Sequence, residues 1–148
     1  MSVSASGGKK RPPDRAFGDT NVFVALLVGP EHVLHARALD LFRRVAFGEL
    51  ELIVMPIVVA ELVYFARSTA GWTRSDVGER LASLVDADGL ALAEGRIVRR
   101  ALQLYAQSTR LDFPDAYLAA AALETGPAAV ASFDSDFDTI DGITRVAA

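Results

Sequence analysis

Read for apolar and polar positions alone, the chain alternates short apolar runs with longer stretches where apolar residues recur every three or four positions. The short runs are Ala16–Gly18, Leu52–Met55, Leu90–Ala93, Ala128–Ser132 and Ile143–Val146, lengths suited to strands. Between them, Leu34, Ala38, Leu41, Phe42 and Val45 share one face of a helix predicted over Glu31–Ala46, ended by Gly48. A shorter helix over Val22–Val28 precedes it, with Asp19 or Thr20 near its cap, and Gly29-Pro30 breaks it. Ile57–Ala70, opened by Pro56 and closed by Gly71, is apolar nearly all round, which predicts a buried helix. Helices follow over Ser75–Val85 and Arg96–Gln107, separated by the Asp88-Gly89 turn. Asp112-Phe-Pro-Asp115 opens the next, to about Glu124, and Gly126-Pro127 closes it. Strands alternating with helices predict an α/β fold with a mainly parallel sheet. It is expected to form one domain over residues 15–148, behind a flexible tail, 1–14, that carries Lys9, Lys10 and Arg11.

Composition narrows the chemistry. The chain has 148 residues, 51% of them hydrophobic and 23% charged, enough for a real core. Cys is absent, which excludes disulfides and thiolate metal sites and fits a cytoplasmic setting. The two histidines, His32 and His35, are too few for a His-based zinc site and read as surface residues. Any metal is therefore expected to take oxygen ligands, as Mg²⁺ or Mn²⁺ does. No apolar run approaches the ~20 residues of a membrane span, and no secretory signal is visible. The net charge of −4 argues against a simple clamp on nucleic-acid backbone.

The charge is unevenly spread. From Leu111 to Thr144 there is no Lys or Arg, yet Asp112, Asp115, Glu124, Asp134, Asp136, Asp138 and Asp141 fall there. Two such charges at about 4 Å repel by roughly 4 kcal/mol at an effective dielectric of ~20. A divalent cation is the simplest species that makes such clustering favourable. In parallel sheets ligands bind at the carboxyl ends of strands. Asp19 follows one strand and Asp134 another, so two acids distant in sequence are expected to meet at one edge. Glu61 lies amid Ile57-Val-Val-Ala60 and Leu62-Val-Tyr-Phe65 with no basic residue three or four positions away, so it is expected to face a cation. Asp112 and Asp115 also fit a helix-capping arrangement. Asp136 is a second candidate behind Asp134, whereas Asp138 reads as a loop or cap residue.

These motifs together resemble a PIN domain, and within it the VapC-type toxin ribonucleases. They are Asp19-Thr-Asn21 at the first strand, Glu61 in Val-Ala-Glu-Leu, Asp115 in Asp-Phe-Pro-Asp-Ala-Tyr-Leu-Ala-Ala-Ala, and Asp134 in Ser-Phe-Asp-Ser-Asp-Phe. The resemblance runs from Asp19 to about Val146. It implies a three-layer α/β/α sandwich in which Asp19, Glu61, Asp115 and Asp134 are catalytic. Asp19, Asp115 and Asp134 would hold Mg²⁺ or Mn²⁺, which activates water to hydrolyse RNA. Asn21, Asp112, Ser132 and Asp136 are candidates for outer positions or a second ion. A homodimer neutralised by a cognate antitoxin is also implied. Two features depart from the family pattern. The first strand is interrupted by Gly18, and Phe133 stands where the family often carries a polar or basic residue, which bears on substrate choice.

Two other readings compete. A haloacid-dehalogenase-like phosphatase would use Asp19 as nucleophile with a second Asp two positions on, but Asn21 holds that place. An inactive PIN-like binding module would not need all four acids. For RNA binding, the arginines after the Glu61 helix, Arg67, Arg74 and Arg80, are expected to form a basic rim beside the acidic pocket. The aromatic residues do not form a stacking strip.

Overall fold

The computed structural model describes residues 11–147; Lys9, Lys10 and the rest of the expected tail before Arg11 lie outside them. Five strands and six α-helices follow the expected order. The strands are β1 (Asp14–Phe17), β2 (Leu50–Val54), β3 (Leu90–Leu92), β4 (Ala129–Ala131) and β5 (Thr144–Val146). The helices are α1 (Thr20–Val28), α2 (His35–Ala46), α3 (Pro56–Ser68), α4 (Arg74–Val85), α5 (Gly95–Gln107) and α6 (Phe113–Thr125), with a 3₁₀ turn over Ser135–Thr139. Every strand pair is parallel, which confirms the α/β class.

The sheet is divided into two ladders, one ordered β1-β2-β3 and the other β4-β5. Phe17 pairs with Ile53, and the Gly18 N–H continues that ladder to the Ile53 carbonyl at 2.9 Å. Gly18 therefore extends the first strand's bonding instead of interrupting it. A Cβ there would lie 2.8 Å from the buried Phe23 ring, so glycine lets that ring approach the strand end. The ladder also reaches back to Asp14, which pairs with Leu50.

Each ladder has its own core. Val54, Val59, Leu62, Leu81, Val98 and Leu102 fill the larger one, almost fully buried. Burying one such side chain contributes about 1.5–3 kcal/mol. Leu111, Ala119, Val130, Phe137 and Ile140 form the smaller one. Helix α6 joins the two, since Ala116 and Ala120 belong to the first core and Ala119 to the second. Small side chains let one helix serve both. Where α4 crosses α5, a Cβ on Gly78 would come within 2.6 Å of the Ala106 methyl, so that approach also requires glycine.

Two expectations are corrected. Helix α3 is not buried all round: Ile57, Glu61, Tyr64 and Ser68 are exposed and recur at one-turn spacing along a single face. Counting apolar residues could not show that this face lacks a covering element. Helix α2 starts at His35, not Glu31, because the preceding segment turns with Gly29 at φ 91° and the Leu34 N–H donates to His32 Nδ1. His35 is half-buried and hydrogen-bonds the Ala25 carbonyl at 2.9 Å, joining α2 to α1. Among the described residues, no helix is long and apolar enough to cross a membrane.

Candidate functional site

The acids expected at the site fall into two groups. The first surrounds the start of α6. Asp112 occupies the N-cap position in extended conformation, but its side chain makes no cap hydrogen bond. The capping expectation thus holds for its backbone and fails for its carboxylate, which remains available. Asp115, one turn on, is half-buried, and its carboxyl is pushed above the ordinary carboxylate range. Burial contributes most, followed by the negative charges of Asp134, Asp112 and Asp136 in that order. Charges from the start of α6 and from the loop after β4 therefore converge on the Asp115 carboxyl.

That loop is held in shape locally. Ser132 Oγ accepts the Asp134 N–H at 2.9 Å, and Asp134 Oδ1 accepts the Asp136 N–H at 2.8 Å, capping the 3₁₀ turn. The second oxygen of Asp134 is not part of that cap. Ser132 thus shapes the backbone that presents Asp134, as a hydroxyl commonly does at a turn. Phe133, between them, is 88% exposed.

Two arginines just outside the Arg-free segment fold back onto it. Arg110 Nη1 lies 3.5 Å from Asp136 Oδ1. Arg145 pairs with Asp138 through two bonds, 3.0 and 3.1 Å, and also donates to the Ser132 carbonyl at 3.3 Å. That pairing lowers the Asp138 carboxyl and raises the Arg145 guanidinium, which also senses Asp134. The acidic segment is thus partly neutralised by its own flanks, and Asp138 is committed to structure.

The second group lies on α1 and α3. Asp19 is the N-cap of α1 and exposed, with no side-chain cap bond. Thr20 Oγ1 donates to Glu61 Oε1 at 2.8 Å. Asn21 lines the same groove as Thr20, Glu61, Ile57 and Tyr64, a volume of about 420 Å³. Glu61 is exposed, which removes the argument that burial forces a cation upon it. Ala60 and Tyr64 also line a neighbouring groove of about 510 Å³ that reaches Asp112. Neither Asp19 nor Glu61 figures among the charges acting on Asp115. Asp19 follows β1 and Asp134 follows β4, strands that belong to separate ladders.

Two residues not singled out by the sequence hold α6 in place. Glu94 follows β3 in left-handed conformation, φ 53°, and accepts a hydrogen bond from the Tyr117 hydroxyl. Burial, and then this bond, push the phenol up to about 12. Behind Tyr117, aromatic contacts run to Phe113 and Tyr105, with the Arg74 guanidinium 4.4 Å above the Tyr105 ring. An acid directly after an apolar strand was a readable signal for Glu94, the same one that marks Asp19 and Asp134.

The three arginines of the expected rim are engaged with the fold itself. Arg74 is half-buried and donates to the Leu111 and Tyr105 carbonyls at 2.6 and 3.3 Å. Arg67 donates to the Trp72 carbonyl at 2.7 Å, and Arg80 lies 4.5 Å above the Trp72 ring. Arg74 in particular is a buttress between helices, whereas Arg67 and Arg80 remain exposed.

Chemically, the donors available are carboxylate oxygens, which suit a hard divalent ion. Among the described residues, no three His, Cys, Asp or Glu side chains form a ready metal cage. Mg²⁺ does not need one, because it usually keeps several waters and takes one or two protein carboxylates. Comparison with protein families matches the PIN domain to residues 16–143. None of the curated proteins and none of the solved structures matches the chain.

Proposed function

We propose that this chain, which belongs to the PIN domain family, is an Mg²⁺- or Mn²⁺-dependent endoribonuclease acting as the toxin of a toxin–antitoxin pair. The family is one of metal-dependent nucleases. The observation that carries the reading is the half-buried Asp115 carboxyl, raised by burial and then by the charges of Asp134, Asp112 and Asp136. Like charges converging on one half-buried carboxyl are unfavourable until a cation offsets them.

Asp115 and Asp134 would hold the ion directly, with Asp112 and Asp136 placed to bond its waters. Bound there, the ion supplies an activated water and offsets charge on the scissile phosphate. Ser132 fixes the Asp134 backbone, and the Arg110 guanidinium stands ready beside Asp136 for a neighbouring phosphate. Asp19 and Glu61 would complete the four-acid set, supported by the Thr20 hydroxyl, which donates to the Glu61 carboxylate. The exposed apolar face of α3, Ile57 and Tyr64, supports a protein partner such as an antitoxin or a second copy of the chain. The test is cleavage of single-stranded RNA by the purified chain with Mg²⁺, lost on chelation and in Asp134→Asn. Metal-independent binding with no cleavage of any RNA would favour an inactive binding module.

A further inference from the structure

We infer that the groove between α5 and the 3₁₀ turn carries the RNA strand to the acids, an inference that rests on the ribonuclease reading. The groove has a volume of about 600 Å³. One wall is a polar stripe of α5: Arg96, Arg100, Gln103 and Gln107 recur at three- and four-residue spacing, and Arg110 follows the helix end. All but Arg96 line the groove, and Leu104 and Ile140 form an apolar floor. Thr139 and Asp141 form the opposite wall.

This groove leads to the proposed metal centre, because Arg110 at its mouth lies 3.5 Å from Asp136. That exposed ion pair is worth little by itself, about 0–1 kcal/mol, so the guanidinium is free to turn to a phosphate. Farther along α5, Arg96 and Arg100 share the single carboxylate of Glu124, each at 3.4 Å. Two guanidiniums against one carboxylate leave net positive charge for another phosphate. Gln103 and Gln107 are exposed amides, able to donate to and accept from base edges. Asp141 and Thr139 supply acceptors for a ribose 2′-hydroxyl, the group that distinguishes RNA from DNA. Arg74, by contrast, already spends its donors inside the fold.

The test measures binding of a single-stranded RNA to the Asp134→Asn protein in Mg²⁺, over a range of salt concentrations. Arg110→Ala is expected to weaken binding about tenfold and to flatten the log–log salt slope by about 0.7, one phosphate contact. Arg110→Lys should keep the slope. Gln103→Ala with Gln107→Ala should weaken binding and leave the slope alone. Arg43→Ala, which removes the same charge from a pair with Asp40 on α2, should do neither. RNA carrying thiouridine should photocrosslink within residues 103–110. Unchanged binding in both groove variants, or crosslinks confined to the α3 face, would overturn the groove while leaving the nuclease standing. An Asp134→Asn protein that binds no RNA at all would overturn both.

Discussion

The Tyr117 hydroxyl donates to the Glu94 carboxylate, fastening α6 to the end of β3 two residues beyond Asp115. Burial, and then this bond, push the phenol up to about 12 from its ordinary 10.0. A raised folded-state value means that this stabilisation is complete below pH 10 and lost as pH climbs from 10 toward about 12. Tyr117→Phe should lower stability by on the order of 1 kcal/mol at neutral pH. It should also remove that alkaline loss. Thermal melts from pH 8 upward, compared with wild type, check both.

Asp115 carries the opposite burden. Its carboxyl is raised, so its ionisation destabilises the metal-free fold as pH rises above 3.8 through the raised value; below 3.8 the penalty is absent. Asp115→Asn should therefore raise the melting temperature in chelator at pH 7. Mg²⁺ or Mn²⁺ should raise the wild-type value and raise the variant's less, because an ion that binds only the folded state stabilises it. A wild type that melts identically with metal and with chelator would count against an ion at these carboxylates.

Asp138 and Arg145 join the loop after β4 to β5. The depressed Asp138 carboxyl gives a contribution present above pH 3.8 and lost as pH falls through its lowered value. Asp138→Asn should thus melt earlier than wild type at pH 7 and converge with it in acid. Its cleavage rate should change far less than that of Asp134→Asn. Comparable losses of activity in the two variants would argue that Asp138 acts in the chemistry.

Arg74 tests the division between scaffold and RNA contact. Arg74→Ala removes donors to the Leu111 and Tyr105 carbonyls and the charge above the Tyr105 ring. A loss on the order of 2 kcal/mol is expected. The salt slope of RNA binding should stay put. A flattened slope with unchanged stability would restore Arg74 to a phosphate-binding rim.

Local chemistry made much of this fold legible. Pro56 and Gly126 mark helix ends because one preorganises a first turn and the other takes φ 65° at the close of α6. The acids at strand ends were legible for the same reason. What escaped depended on contacts remote in sequence. Glu61 looked buried because its neighbours are apolar, but nothing in the pattern says which side of a helix finds a partner. Arg110 and Arg145 lie just outside the acidic segment, and only the turn of the chain brings them onto Asp136 and Asp138. The division of the sheet between β1 and β4 is a matter of pairing that periodicity does not encode.

The central claim is most directly tested by Mg²⁺-dependent cleavage of single-stranded RNA, comparing wild type with folded Asp115→Asn and Asp134→Asn. Each substitution keeps shape and removes one charge from the carboxylate group. Wild type should cut, chelator should stop it, and both variants should fall by at least about a hundredfold, roughly 3 kcal/mol of lost transition-state stabilisation. Full activity in Asp134→Asn, or wild-type cleavage undiminished in chelator, would contradict it.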